Sequence, residues 1–459
     1  MTKQELFDYI AGQEEFLNKV SDSVWDNPET CYSEKISSEI ICKALEEQGF
    51  QVERDVADIP TAFTGTFGHG KPVIGFLGEF DALSGLSQVA GATEKIAVHP
   101  GGNGHGCGHN LLGTGCLAAA IGLKKYLEEN GKEGTIIFYG CPAEEGGGGK
   151  TFMAREGCFD HLDAAIAWHP GDAYGSSAGS TLANCQIYFR YKGISSHAGI
   201  SPHLGRSALD PVTLFNVGIQ FLREHVLPSV RMHYAVTDTG GFSPNVVQPT
   251  AEVLVLLRAE DNATVADVRS RVEDIARGAA LMTGTELEID FVKATSNTVP
   301  NHVLGRDAVE NLKLLKLPEF SKEDVEFYSK ISATNKNGNP GHPIADTIPD
   351  FKPVEIVFPA SSDVGDVSWI VPTVSLSAPT WPVGTAAHSW QAVAVGKSTP
   401  AHKATLMVGE AMAGVAVDLI EKPELLEQAR EELNRRLKGS KYECPIPKGV
   451  VPRALSMKK

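Results

Sequence analysis

Cys107 and His109 stand two residues apart in HGCGHN (105–110), among glycines that leave the backbone free to turn both side chains toward one point. A thiolate and an imidazole suit a borderline metal such as zinc, but a redox thiol or a plain tight turn fits the same six residues. Other segments have to decide. CPAEEGGGG (141–149) follows the apolar run GTIIFYG and puts Glu144 and Glu145 at the carboxyl end of an expected strand, the edge where ligand sites of open α/β sheets collect. Adjacent carboxylates can divide the work: one binds a metal while the other accepts a proton from an activated water. A solvated acidic loop is the alternative, against which four consecutive glycines argue for close backbone approach. WHP (168–170) ends the next expected strand at His169, and GTAAHSW (384–390) sets His388 in a small-residue loop. GEFDALSG (78–85) offers Asp81 either as a turn residue or as a carboxylate holding a ligand histidine. His402 lies in the first turn of a helix and reads as surface. Together the set comprises Cys107, His109, Glu145, His169 and His388 with Glu144 spare. It is enough for two metals sharing a water and more than one tetrahedral structural zinc needs.

The elements that must position these residues follow from periodicity. Two helices are expected in the first fifty residues, separated by NPE (27–29) and closed by Gly49. VIGFLGEF, GTIIFYG and DAAIAW read as buried strands, and NLLGTGCLAAAIGLKKYLEEN (110–130) as a helix with Asn110 as its N-cap. Strand, helix, strand in this order predicts an α/β catalytic domain with a mixed, mainly parallel sheet flanked by helices. Residues 183–293 read β-α-β-β-α-β, a ferredoxin-like α+β unit inserted into it. The first domain is then discontinuous, 1–182 and 294–459, with strands near EIVFPA and TVSLSA and a long apolar helix from Pro400. The charged stretch ELLEQAREELNRRLKGSK reads as a solvated amphipathic helix.

A chain of 459 residues exceeds one ordinary core, and 42% hydrophobic with 21% charged residues is globular composition. A formal net charge of −16 without a basic cluster argues against a nucleic-acid partner. The first twenty residues lack the apolar core of a signal peptide, and no run approaches a membrane span. Eight scattered cysteines suggest free thiols in a reducing cytoplasm.

Over nearly its whole length the chain resembles the peptidase M20 family of dinuclear metal amidohydrolases. The resemblance rests on NPETCYSE, GEFDALSG, HGCGHNLLG, CPAEEGGGGK, WHP, GISSHAGISPHLGRSALD, PNVVQPTAEVLVLLRA, SSDVGDVSW and GTAAHSWQ. It implies that Cys107, His109, Glu145, His169 and His388 bind two divalent metal ions, zinc or manganese, with cobalt acceptable in vitro. Glu144 is then the general base and Asp81 the carboxylate behind a ligand. His197 would hold the oxyanion in the partner subunit's site, and Asn245 and Arg258 would contact substrate, Arg258 by clamping a carboxylate. The implied protein is a cytoplasmic homodimer with an inserted dimerisation or lid domain. The implied reaction is amide hydrolysis of N-acyl amino acids, as in aminoacylases. GHGCGHNLLG and GTAAHSWQ most resemble the branch that cleaves p-aminobenzoyl-glutamate to p-aminobenzoate and glutamate. A dipeptidase acting on non-standard dipeptides such as β-alanyl-lysine is the alternative. Many auxin-conjugate hydrolases of the family carry Asp where this chain has Asn110, which weakens an indole-acetyl substrate.

Overall fold

The computed structural model describes residues 1–454. The chain begins with α1 (Lys3–Ala11), α2 (Glu14–Trp25) and α3 (Lys35–Glu47), followed by β1 (Gln51–Arg54), β2 (Phe63–His69) and β3 (Val73–Glu79). Next come α4 (His109–Asn130), β4 (Gly134–Cys141), α5 (Gly149–Arg155), β5 (Ala164–Gly171) and the short β6 (Gly175–Ser176). There follow β7 (Ser180–Thr181), β8 (Ala183–Lys192), α6 (Leu209–Leu222), β9 (Arg231–Asp238), β10 (Thr250–Ala259), α7 (Asn262–Thr283) and β11 (Glu286–Thr295). The remainder holds α8 (His302–Lys313), α9 (Lys322–Ser332), β12 (Val357–Phe358), α10 (Val364–Ser368), β13 (Thr373–Pro379), α11 (Trp390–Val395), α12 (Thr399–Glu421) and α13 (Pro423–Leu437).

Two compact units result. The larger comprises residues 1–179, 299–356 and 367–442; the smaller comprises 180–298, 357–366 and the chain from 443 onward. The larger is built on a sheet ordered β1-β2-β4-β3-β5-β13-β6. Its four central strands run parallel, and β1, β2 and β6 join antiparallel. Strand β3 is buried at every position, as a parallel strand covered on both faces must be, and this explains its unbroken apolar run. Helix α4 is interior for most of its length and carries glycines and alanines where it meets its neighbours. A Cβ on Gly115 would stand 2.6 Å from the Trp168 indole nitrogen, and one on Gly409 of α12 would stand 2.8 Å from the Ala118 methyl. Arg430 of α13 donates to the Ile370 carbonyl, so part of that charged helix is packed rather than solvated.

The smaller unit is an antiparallel sheet ordered β11-β8-β10-β9. Alternate residues of β10, namely Ala251, Val253, Val255, Leu257 and Ala259, are buried on the face that carries α6 and α7.

Several expectations are corrected. The N-terminal segment forms three helices, because α1 ends at Gly12 and the chain restarts at Glu14. Strands β1 and β2 were not foreseen; β1 is four mostly exposed residues, and β2 is broken by Gly65 and Gly68. EIVFPA contributes only β12, which pairs with β7 in the smaller unit instead of joining the main sheet. Among the described residues no helix is long and apolar enough to cross a membrane.

Candidate active site

In the larger unit, loops leaving the carboxyl ends of β3, β4, β5 and β13 bring Asp81, Glu144, Glu145, His169 and His388 to the loop that carries Cys107 and His109. Donor atoms of Cys107, His109 and His169 lie within 4.8 Å of one another, as do those of Cys107, Glu145 and His388. Cys107 is common to both groups, so two cation positions would share its sulfur. Glu144 falls in a third group with His109 and Glu79.

Local sequence explains the placement. Gly108 caps α4 at φ +75°, and a Cβ there would come within 3.0 Å of Pro170. The glycine therefore allows the thiol loop to lie against the β5 terminus. Ala143 and His388 both hold positive φ, +61° and +58°, an unfavourable conformation for residues with a Cβ and one that recurs at functional sites. At His388 the backbone N–H donates to the Gly106 carbonyl at 2.9 Å. Two of the four glycines at 146–149 are packing devices, and Gly148 holds φ +71°. A Cβ on Gly147 would meet Tyr32, Ala143 and Cys31 at 2.5–2.7 Å, and one on Gly149 would meet the Pro142 carbonyl at 2.0 Å.

The cluster is electrostatically tuned. Burial opposes ionisation of Cys107, yet the charge of His169 and hydrogen bonds from His109, His169 and His388 outweigh it and bring the thiol down to about 6. His388 is raised to about 10 by its bonds to Cys107 and Glu145 and their charges. Burial pulls His169 down, but the Cys107 charge and hydrogen bond win and lift it to about 9. His388 Nε2 stands 3.2 Å from Glu145 Oε2 and His169 Nε2 stands 3.4 Å from the sulfur. Asp81, 1% exposed, faces His109 Nδ1 through Oδ1 at 3.0 Å and accepts the Glu145 backbone N–H through Oδ2 at 2.9 Å. It thereby orients one imidazole by its far nitrogen and aligns one glutamate loop.

Buried atoms test the fit to metal: Glu145 Oε1 has no hydrogen bond, and His109 Nε2 and Glu79 Oε2 form no well-directed one, meeting each other as an ion pair at 3.2 Å. An unmet buried polar group costs about 1–3 kcal/mol, and Glu145 Oε1 points to a cation as its missing partner. Sulfur, imidazole and carboxylate donors suit zinc, manganese or cobalt.

Glu79 and Lys150 were missed from sequence because each sits inside an apolar or glycine run. They form an almost wholly buried ion pair at 2.7 Å, and Glu79 Oε2 lies 3.2 Å from His109 Nε2. Glu34 was missed too; it accepts from Ala143 N–H and Thr61 Oγ1, and burial followed by the Asp81 charge raises it to about 8. His105 points away from the cluster; its Nε2 meets the Val24 carbonyl at 3.1 Å. Asn110 lies within the first turn of α4 instead of capping it, and its amide ties α2 to the segment before α12 through Ser21 Oγ and the Gly396 carbonyl. His402 is buried, with Nε2 3.0 Å from Asp22, correcting its surface assignment.

In the smaller unit, His197 and Asn245 are neighbours: Ala198 N–H donates to the Asn245 carbonyl, and His197 bridges Val246. His197 is exposed, and its Nδ1 accepts from Gly199 and Ile200 N–H at 3.1 Å each. The ring proton therefore sits on Nε2 and faces outward as a donor. Arg258 is not with them. Lys192, just before the His197 loop, pairs with Thr250 at one end of β10, whereas Arg258 pairs with Asn184 at the other, ~27 Å along the strand.

Residues 75–450 match the profile of peptidase family M20/M25/M40. One of the subunits of p-aminobenzoyl-glutamate hydrolase from Escherichia coli strain K12 is 46% identical, over 98% of each chain. The Xaa-Arg dipeptidase of Mus musculus is 29% identical over 95% of this chain and 93% of its own. A Bacillus subtilis protein described as a dinuclear metal binding peptidase of the M20 family shares the fold with a TM-score of 0.54 at 17% identity, covering 89% of this chain and 99% of that one. With a family profile spanning most of its length and a relative this similar from end to end, the chain belongs to peptidase family M20/M25/M40, hydrolases of amide and peptide bonds.

Proposed function

We propose that the protein hydrolyses the amide bond of N-acyl amino acids, with p-aminobenzoyl-glutamate as substrate and p-aminobenzoate and glutamate as products. The observation that carries the reading is the pair of three-donor groups sharing Cys107 with Glu144 beside them. Cys107, His109 and His169 would hold one divalent ion and Cys107, Glu145 and His388 the other. Bound there, such ions supply Lewis acidity toward the amide carbonyl and toward water. Glu144 accepts the proton of the attacking water and delivers it to the leaving nitrogen. The outward Nε2–H of His197 donates to the oxyanion as charge develops. Arg258 clamps a carboxylate of the amino-acid half through its planar fork. The substrate follows from the relative that is 46% identical along its length, and eight free cysteines accord with a reducing cytoplasm.

The separation of His197 and Asn245 from Arg258 within one smaller unit supports a shared site, in which a second copy supplies the first pair. Leu214, Val217 and Phe221 form an exposed apolar stripe on α6, and Tyr234 and Val236 are exposed on the sheet-edge strand β9. Such a surface suits a homodimer. The Escherichia coli relative is named as one of two kinds of hydrolase chain, and a Haemophilus influenzae protein that is 28% identical over 41% of this chain is named as a homologue of the other kind. Sedimentation of the chain alone and mixed with a chain of that second kind separates the two assemblies: a dimer alone is expected, and a dimer formed solely in the mixture would reject the homodimer. Coexpressing Glu144→Gln with His197→Ala chains restores activity in mixed dimers if the site is shared; no rescue rejects sharing.

The substrate test is a panel of aroylglutamates, acyl-amino acids and dipeptides with zinc, manganese and cobalt. Metal-dependent glutamate release from p-aminobenzoyl-glutamate is expected. Cleavage of β-alanyl-lysine or Xaa-Arg peptides without action on the aroylglutamate would favour a dipeptidase, the reading that the 29% identical relative supports. Fewer than one bound ion per chain in active protein would reject the dinuclear assignment.

A further inference from the structure

The smaller unit contains a depression of about 450 Å³ lined by Arg231, His233, Arg258, Ser229 and a single carboxylate, Glu260, among others. Arg258 of β10 is directly opposite Arg231 of β9, and His233 is opposite Leu256, two residues along the same face. That face is turned away from α6 and α7, since the intervening Met232 and Leu257 are buried. Like charges set directly opposite in an antiparallel pair are unfavourable unless something neutralises them. Arg258 donates to Ser361 Oγ at 2.9 Å, and Arg231 donates to the Pro228 and Val230 carbonyls. Among the described residues neither has an ion-pair partner. The contrast is Arg190 on the same sheet face, which is ringed by Glu252, Glu288 and Asp290. Burial, and after it the charges of Arg258, Arg223 and Arg231, depress the protonation of His233.

We infer that Arg231 and His233, together with Arg258, form the specificity pocket for a dicarboxylic amino acid, holding both carboxylates of the glutamyl half. The inference rests on the reading above that Arg258 meets the substrate carboxylate, and adds the second anchor. One carboxylate occupies one guanidinium fork. His233 lies ~7 Å along the strands from the arginine pair, a spacing that a lone carboxylate leaves unserved and that two carboxylates joined by three carbons span. The His233 imidazole contributes an N–H donor to the second carboxylate.

Two measurements test this. The first is the ratio of kcat/KM for p-aminobenzoyl-glutamate over p-aminobenzoyl-alanine in the metal-loaded enzyme. Arg231→Gln is expected to lower the ratio at least tenfold, His233→Gln to lower it less, and Arg231→Lys to fall between wild type and Arg231→Gln. An unchanged ratio in both glutamine variants overturns the pocket while leaving the amidohydrolase reading intact. The second is calorimetric binding of N-acetyl-L-glutamate, N-acetyl-L-alanine and inorganic phosphate to Glu144→Gln protein, with and without Arg231→Gln. The glutamate derivative should bind at least tenfold tighter than the other two, and the added substitution should abolish that preference. Phosphate binding as tight as the glutamate derivative's overturns the dicarboxylate assignment. Should the wild type cleave neither aroyl substrate, the proposed function fails, and the binding series still decides the pocket.

Discussion

The cradle around Cys107 and the open sheet face around Arg258 have opposite deficits. In the cradle, carboxylate oxygen is left over: Glu145 Oε1 is buried without a hydrogen bond, and Glu79 Oε2 meets the His109 ring at 3.2 Å while its other oxygen holds Lys150. On the sheet face, donors are left over, with two guanidinium groups opposite each other and one carboxylate lining the depression. Under the readings proposed above, the unmet groups of each region match the sign of its ligand, a cation in one and an anion in the other. The cradle is also held from behind by Asp81, Lys150 and Glu34, whereas among the described residues Arg258 and Arg231 bond to Ser361 and backbone carbonyls. Substitutions behind the cradle should therefore propagate, and those on the sheet face should stay local.

The largest effect expected is at the reacting centre. Glu144→Gln should lower kcat by about 10²–10⁴-fold, the range for losing a general base, with metal content unchanged by elemental analysis. Loss of metal along with activity would instead make Glu144 part of the cradle. Next comes Lys150→Met, which leaves Glu79 as a buried charge without its partner. The expected loss is about 3–5 kcal/mol in denaturant unfolding of the metal-free protein, and a loss under about 1 kcal/mol would show that the cradle is not braced through this pair. Asp81→Asn should weaken metal affinity about 10–100-fold in chelator competition, because the His109 tautomer and the Glu145 loop lose their anchor. The smallest effect has the opposite sign. Arg231→Gln should stabilise the ligand-free protein by about 0.2–1 kcal/mol by removing a like-charge cross-strand pair, and destabilisation would mean that an unrecognised anion already balances it.

Legibility differed between the same two regions. That Cys107, His109, Glu145, His169 and His388 come together was legible because each lies at a strand end or in a small-residue loop on one edge of the sheet. Glu79 could not, since it closes a fully buried strand whose period is apolar throughout. Lys150 was hidden behind four glycines, of which Gly147 packs against Tyr32 and Cys31 and Gly149 against Pro142. His402 was misread because a first helical turn is usually exposed, and only the packing of α2 against it shows otherwise. EIVFPA has strand composition, but two residues of it pair, and with β7 rather than the main sheet.

By itself the sequence determined the kinds of donor, their order along the chain and the alternation of strand and helix, since periodicity and residue chemistry are local properties. Tertiary structure decided which donors share a sulfur, which carboxylate stands behind which imidazole, and that Arg231 faces Arg258 while His197 lies at the other end of their sheet. Those relations join residues tens to hundreds of positions apart, and they depend on strand register, where a shift of one residue moves every side chain to the opposite face.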